Sequence, residues 1–320
     1  MKISPTMNIN YKNNNRFGFK SKKTSGFKNT VHKDICNLQT NNSINLVFSD
    51  FDGTMKISGT RHLTELTKQA IQKLHRENIP LIIATGRMPT EFVKYSADIP
   101  IEPDYMIMGH GSHIRSKDKI ILDNTISTKD IFAFLDFYSR SKYNDVSLHL
   151  KSKDEILKIK YDEIHNNPNR LQEIKRIIST KSYNLLMFYK SDAETFQELE
   201  TLKNELTEIF RGANLDIFLS SPHCCEIINN NSSKSKASDI IAHITNIPLK
   251  NSAAIGDGEN DIGIIEHVIQ NGGIGVAMGN ATKKLMNIAQ YIAPKSENDG
   301  FAKFILSVIQ NNRLLKKAKL

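Results

Sequence analysis

Hydrophobic order begins abruptly at Ile44. Residues 1–43 are rich in Asn, Lys, Ser and Thr with little apolar periodicity, as in Asn13-Asn14-Asn15 and Lys20-Ser21-Lys22-Lys23. Such a stretch buries too little apolar surface to offset its chain entropy and is read as a disordered basic leader. Ile44 to Phe48 then predicts a buried strand. Leu63, Leu66, Ala70, Ile71 and Leu74 recur at helical spacing and predict an amphipathic helix over about 61–77. Ile79 to Ala84 and Tyr105 to Met108 predict two more apolar strands. Strand, helix, strand is the βαβ unit of a parallel sheet, whose strands read as unbroken apolar runs because both faces are covered.

The middle of the chain has a different texture. Helical stretches near 129–140, 168–179 and 193–210 alternate with Val146 to Leu150, Asn184 to Tyr189 and Leu215 to Leu219. This predicts a mixed α+β insert with antiparallel strands. Ser252 to Ile255, Gly273 to Ala277 and Tyr291 to Ala293 return to short buried strands. The expected organisation is a leader at 1–43, an α/β core at 44–124 and 226–320, and an insert at 125–225.

Composition changes this picture little. A chain of 320 residues can bury a substantial core. No apolar run approaches the roughly 18 residues that cross a bilayer. The start lacks the apolar segment of a secretory signal, so a cytoplasmic protein without a membrane partner is expected. The net charge of +9 hints at nucleic acid, but its distribution argues otherwise. Residues 1–43 hold eight Lys or Arg against Asp34, and Arg313, Lys316, Lys317 and Lys319 add four positive charges, leaving residues 44–312 at −2. No basic face, and so no nucleic-acid partner, is expected on the globular part. Cys36, Cys224 and Cys225 are odd in number with no C-x-x-C spacing, which favours reduced thiols over disulfides or zinc.

Polar chemistry gathers where predicted strands end. Those ends read Asp50-Phe51-Asp52-Gly53-Thr54, Thr85-Gly86-Arg87, Gly109-His110-Gly111 and Gly256-Asp257-Gly258-Glu259-Asn260-Asp261. Ligands in open parallel sheets bind outside the carboxyl ends of strands, so the four loops form a constellation. Asp50 and Asp52 are like charges at the mouth of a core, which a divalent cation would compensate. Asp50 can ligate that ion and attack phosphorus, giving an acyl phosphate. Asp52 can share the ion, protonate the leaving alkoxide and then deprotonate water. Asp257 and Asp261 add charge for Mg²⁺, a hard cation that prefers oxygen, with Asp261 either a direct ligand or one step behind. Thr85 offers a hydroxyl and an N–H to phosphate oxygens. A DG or GDG sequence alone is a common solvated turn, and the pairing of the two motifs argues against that reading.

These motifs resemble the haloacid dehalogenase-like (HAD) hydrolase superfamily. Its D-x-D-G-T motif matches Asp50 to Thr54, its strand-ending Thr matches Thr85, and its G-D-G-x-N-D motif matches Gly256 to Asp261. Val276-Ala277-Met278-Gly279-Asn280-Ala281 and Asp299-Gly300 resemble subclass IIB, the Cof-type and sucrose-phosphatase-like phosphatases. The resemblance covers about residues 44–310. It implies a Rossmann-like parallel-sheet core with an inserted α+β cap, and a Mg²⁺ cofactor. It implies catalytic roles for Asp50, Asp52 and Lys234, and phosphate or substrate contacts from Thr85, Gly86, Arg87, His110 and Asn260. Lys234, in Ser233-Lys234-Ser235-Lys236, would neutralise Asp50 and phosphate, with Lys236 the competing assignment. Two positions depart from the subgroup: Ser235 replaces a glycine, and His110-Gly111 replaces Asn-Gly. Glu226 resembles a position just after the cap, while His223, Cys224 and Cys225 have no assigned chemistry.

The expected function is hydrolysis of a small phosphorylated metabolite, a sugar phosphate above all, through a phosphoaspartyl intermediate. A phosphomutase of the phosphomannomutase type is the alternative within the subclass. A non-enzymatic binder of nucleic acid or membrane surface through the basic leader is the alternative from another class. Oligomeric state is not legible from the sequence.

Overall fold

Short apolar runs become the middle of a nine-stranded sheet in the computed structural model, which describes residues 33–35, 38–191 and 196–318. Most of the leader, Cys36 included, lies outside the described residues. In chain order the strands are β1 (Lys33–Asp34), β2 (Leu46–Ser49), β3 (Leu81–Ala84), β4 (Tyr105–Met108), β5 (His113–Ser116), β6 (Ile120–Asp123), β7 (Ser147–Lys151), β8 (Ile156–Ile159), β9 (Leu185–Tyr189), β10 (Leu215–Ser221), β11 (Cys224–Asn229), β12 (Ser252–Gly256), β13 (Ile274–Ala277) and β14 (Tyr291–Ile292). The α-helices are α1 (Glu65–Arg76), α2 (Pro89–Ser96), α3 (Thr128–Arg140), α4 (Tyr161–Ile164), α5 (Pro168–Ser179), α6 (Phe196–Ile209), α7 (Lys234–Thr245), α8 (Ile262–Gln270), α9 (Lys283–Met286) and α10 (Gly300–Lys317).

The large sheet runs β1-β14-β13-β12-β2-β3-β4-β5-β6. From β1 through β4 every pairing is parallel. The expected parallel-sheet core is thus present, and its last two strands, β5 and β6, add an antiparallel edge. The physical reason is the connection: Gly109-His110-Gly111 between β4 and β5 is too short for the crossover a parallel pair needs. Alternation along each strand serves two helical layers. Val47, Ile83 and Ile255 pack with Ile71, Leu74, Phe301 and Phe304 under α1, α2 and α10. Phe48, Ile82 and Ala254 pack with Ile241, Ile264, Ile265 and Leu285 under α7, α8 and α9.

A second, antiparallel sheet runs β10-β11-β9-β7-β8. Leu148, Leu150, Leu186, Phe188, Cys225 and Ile227 bury one of its faces, with Ile131, Phe134, Ile178 and Leu202 from the neighbouring helices. The opposite face carries His149, Met187, Glu226 and Phe218, which stand in register across β7, β9, β11 and β10. This sheet continues to Asn229, four residues beyond the insert's expected end.

Part of the stretch expected to be leader is ordered. β1 pairs with β14, and Ile35 and Leu38 enter the core. Asn311 and Asn312 of α10 accept the N–H groups of Thr40 and Ile44 at 3.2 and 2.9 Å. Two apolar residues without a period leave no pattern to read. Helix α1 begins at Glu65, later than expected, because the Thr64 hydroxyl caps it by accepting the Thr67 N–H at 3.1 Å. Among the described residues no helix is long and apolar enough to cross a membrane.

Candidate active site

The adjacent strands β12, β2, β3 and β4 bring all four polar loops to one edge of the sheet. Asp50 follows β2 and donates its N–H to the Ile255 carbonyl of β12 at 3.0 Å. One carboxylate oxygen from each of Asp50, Asp257 and Asp261 lies within 4.8 Å of the others. Asp261 is almost wholly buried, and its Oδ2 accepts the N–H groups of Asp257 and Gly258 at 3.1 and 3.0 Å. Lys234 opens α7 and donates its ammonium to Asp261 Oδ1 at 2.6 Å and Asp50 Oδ1 at 2.7 Å. The competing Lys236 turns to the Asn230 carbonyl at 2.6 Å, so Lys234 is the lysine in the cluster.

Three carboxylates around one ammonium leave an excess of negative charge. Burial, with the Asp261 and Asp257 charges, pushes the Asp50 carboxyl well above its ordinary range despite Lys234. Burial and Asp261 likewise raise Asp257 to about 6. Burial pulls the Lys234 ammonium down, but Asp261 and Asp50 outweigh it and hold the group above the usual lysine value. An all-oxygen donor set with uncompensated charge fits a hard divalent cation.

Asp52, expected to share the ion, turns its carboxylate elsewhere. Its carboxylate lies outside the convergent group. It accepts Arg87 Nε at 2.6 Å and Nη2 at 3.0 Å, and Lys56 Nζ at 2.9 Å. Burial raises this carboxyl, but Arg87 and then Lys56 reverse that and hold it below its ordinary value. The Arg87 guanidinium stacks 4.8 Å from the centre of the Tyr95 ring. Arg87, expected at the phosphate, is thus committed to Asp52 here.

The turn after Asp52 depends on Gly53, whose φ is +79°. A Cβ there would overlap the Asp257 carboxylate. The Thr54 hydroxyl donates to Asp257 Oδ1 at 3.0 Å, and Asn280 Nδ2 donates to the Gly53 carbonyl at 2.9 Å. Asn280, from the Val276–Ala281 segment, therefore braces the D-x-D-G-T loop. Thr85 is buried after β3, and its Oγ1 accepts the Arg87 N–H at 3.2 Å. A Cβ on Gly86 would come within 2.5 Å of the His110 ring. His110 itself adopts a left-handed backbone, φ 55°, in the turn after β4.

His110 Nε2 meets Glu226 Oε2 of β11 at 2.7 Å, both side chains 7% exposed, with the Phe218 ring edge-on at 5.1 Å. Burial raises the Glu226 carboxyl, yet the His110 partnership outweighs this and holds it low. A second pair, Lys151 of β7 with Glu91 of α2, bridges the two sheets' layers at 2.9 Å. Between the layers lies a cleft of about 270 Å³ lined by His110, Lys234 and Asn260 on one side and Asp216 and Phe218 on the other. Sequence reasoning missed Lys56, the Lys151–Glu91 pair and the partner of Glu226, since neither partner of a long-range pair carries a local signal. Cys224 and Cys225 are free, and burial pushes the Cys225 thiol up to about 12, which leaves it inert.

The sequence profile of the haloacid dehalogenase-like hydrolases matches residues 47–305. The chain belongs to this family, and its fold is that of a HAD hydrolase. It is an enzyme of the HAD phosphatase type, similar to subclass IIB members. A Buchnera aphidicola protein provisionally named phosphatase BU028/BU029 is 26% identical over 285 residues, covering 84% of this chain and 98% of its own. Phosphatase YwpJ of Bacillus subtilis is 24% identical, covering 80% and 97%. Among solved structures, the HAD subclass IIB sugar phosphatase BT4131 superposes with a TM-score of 0.64 at 21% identity, over 81% of this chain and 96% of its own. At that identity the likeness shows the shared fold.

Proposed function

We propose that the chain is a Mg²⁺-dependent phosphatase that hydrolyses a small sugar phosphate through a phosphoaspartyl intermediate. The observation that carries this reading is the bridge of Lys234, which lines the cleft, between Asp50 and Asp261, beside Asp257. Asp50, Asp257 and Asp261 would hold the ion, Asp261 chiefly by fixing Lys234 and the Asp257 loop. When bound, the ion would offset repulsion between these carboxylates and the incoming phosphate. Asp50 attacks phosphorus, and the ester P–O bond breaks as Asp52, which takes up a proton once Arg87 turns from it to the substrate phosphate, passes that proton to the leaving oxygen. Water then attacks the acyl phosphate, Asp52 takes its proton, and inorganic phosphate leaves with Asp50 restored.

Thr85, and the Arg87 guanidinium once it turns from Asp52, would receive phosphate oxygens. His110, Asn260, Asp216 and Phe218 line the space for the leaving group. An aromatic face beside hydrogen-bonding groups suits a sugar, and the similar protein BT4131 is named a sugar phosphatase. Location in the cytoplasm belongs to the same proposal, supported by the free thiols of Cys224 and Cys225. The test is phosphate release from a panel of sugar phosphates with and without Mg²⁺. Release that needs Mg²⁺ and vanishes in Asp50→Asn supports the reading; normal turnover by Asp50→Asn would sink it.

A further inference from the structure

Lys56 follows the first motif by two residues, and its side chain is only 3% exposed. Burying an ammonium is costly unless its three hydrogens find acceptors. Here three acceptors are in place: Asp52 Oδ1 at 2.9 Å, the Thr60 carbonyl at 3.0 Å and the Ile57 carbonyl at 3.3 Å. The backbone closes the same loop, with the Lys56 N–H on the Phe51 carbonyl at 2.9 Å and the Gly53 N–H on the Lys56 carbonyl at 2.7 Å. The Phe51 and Tyr95 rings flank the ammonium at 5.9 and 5.5 Å. A solvated lysine that met an acid by chance would not be enclosed on every side.

We propose that Lys56 is a positioning residue that fixes the Asp52 carboxylate toward the leaving-group oxygen, an inference that rests on the phosphatase reading above. The two cations on Asp52 differ in reach. Arg87 is 27% exposed, so a substrate phosphate can compete with Asp52 for it, whereas Lys56 is closed in by backbone carbonyls. Once Arg87 turns to phosphate, Lys56 still holds Oδ1, and Oδ2 is left to face the ester oxygen. Freed of Arg87, Oδ2 takes up a proton from solvent and passes it to that oxygen as the P–O bond breaks, and the electron pair of the bond goes with the leaving group.

The contribution should therefore scale with the leaving group's need for a proton. The test compares kcat/KM, which reports steps up to leaving-group departure, for the best sugar phosphate of the panel and for p-nitrophenyl phosphate, whose nitrophenolate leaves unprotonated. In Lys56→Met the sugar phosphate is expected to lose at least about tenfold more than the nitrophenyl ester, a fraction of a full general-acid contribution. Lys56→Arg should recover part of that difference. Lys56→Gln, which keeps donors for the Ile57 and Thr60 carbonyls and so protects the loop, should shift the ratio the same way as Lys56→Met. Equal losses on both esters, or no loss on either, would assign Lys56 to loop stability alone and overturn the proposal. A wild type inactive on both esters overturns the phosphatase reading and this inference with it.

Discussion

At the scale of single residues, the site is governed by charges held closer than water would allow. Lys234 meets two carboxylates and cannot neutralise three, which is the physical case for a cation. Mg²⁺ at about 100 times its Kd should then stabilise the folded protein by about 2.7 kcal/mol, read as a rise in Tm. Asp257→Asn should largely abolish that rise, and an undiminished rise would place the ion elsewhere. Gly53 shows the steric side of the same crowding. Its φ of +79° would cost Ala roughly 1–2 kcal/mol, before the overlap with Asp257 is counted. Gly53→Ala should lower the urea midpoint accordingly and remove phosphate release; wild-type behaviour in both assays would contradict the turn described. Asp50, Asp52, Thr85, Asp257 and Asp261 stand out in the sequence because each sits in a contiguous motif at a strand end, whereas Lys234, at the start of α7, is reached only through the family resemblance. Lys56 does not stand out, because a lone lysine reads as surface and its burial depends on a loop folding back over ten residues.

At the scale of elements, the apolar runs that became β2, β3, β4 and β12 were readable because each is buried on both faces. The β5–β6 hairpin was hidden, since His113-Ile114-Arg115-Ser116 mixes polar and apolar positions at a sheet edge. The register of the second sheet was equally hidden, although its strands were foreseen in part. That register places His149 beside Met187 on the face that also carries Glu226. Burial, then Lys151 and Lys158, lowers His149 to about 4, while its Nε2 meets the Ser147 hydroxyl at 3.0 Å. The unfolded chain therefore binds the proton more readily, so this residue's contribution to stability is lost as pH falls from about 6.5 towards 4. His149→Gln should flatten the dependence of urea stability on pH across that window, and an unchanged slope would show that His149 is hydrated in the folded state. On α10, Phe304→Ala should cost about 3–5 kcal/mol, because the ring is wholly enclosed between α1 and the large sheet.

At the scale of the whole molecule, one sheet carries the acidic strand-end cluster and the other faces it with Glu226, Phe218 and Asp216. The first half of that division is visible in the sequence as motifs, and the second is not, because pairs such as His110–Glu226 are assembled only by the fold. The central claim is that the strand-end cluster makes Asp50 a covalent nucleophile. The most direct measurement is acid quench during turnover of a sugar phosphate with Mg²⁺, followed by mass spectrometry of the peptide that contains Asp50. A phosphoryl group is expected on that peptide in the wild type and none in Asp50→Asn, which should also release no phosphate. Phosphate released at full rate by an enzyme whose Asp50 peptide never carries a phosphoryl group, in rapid-quench samples spanning the first turnover, would contradict that claim.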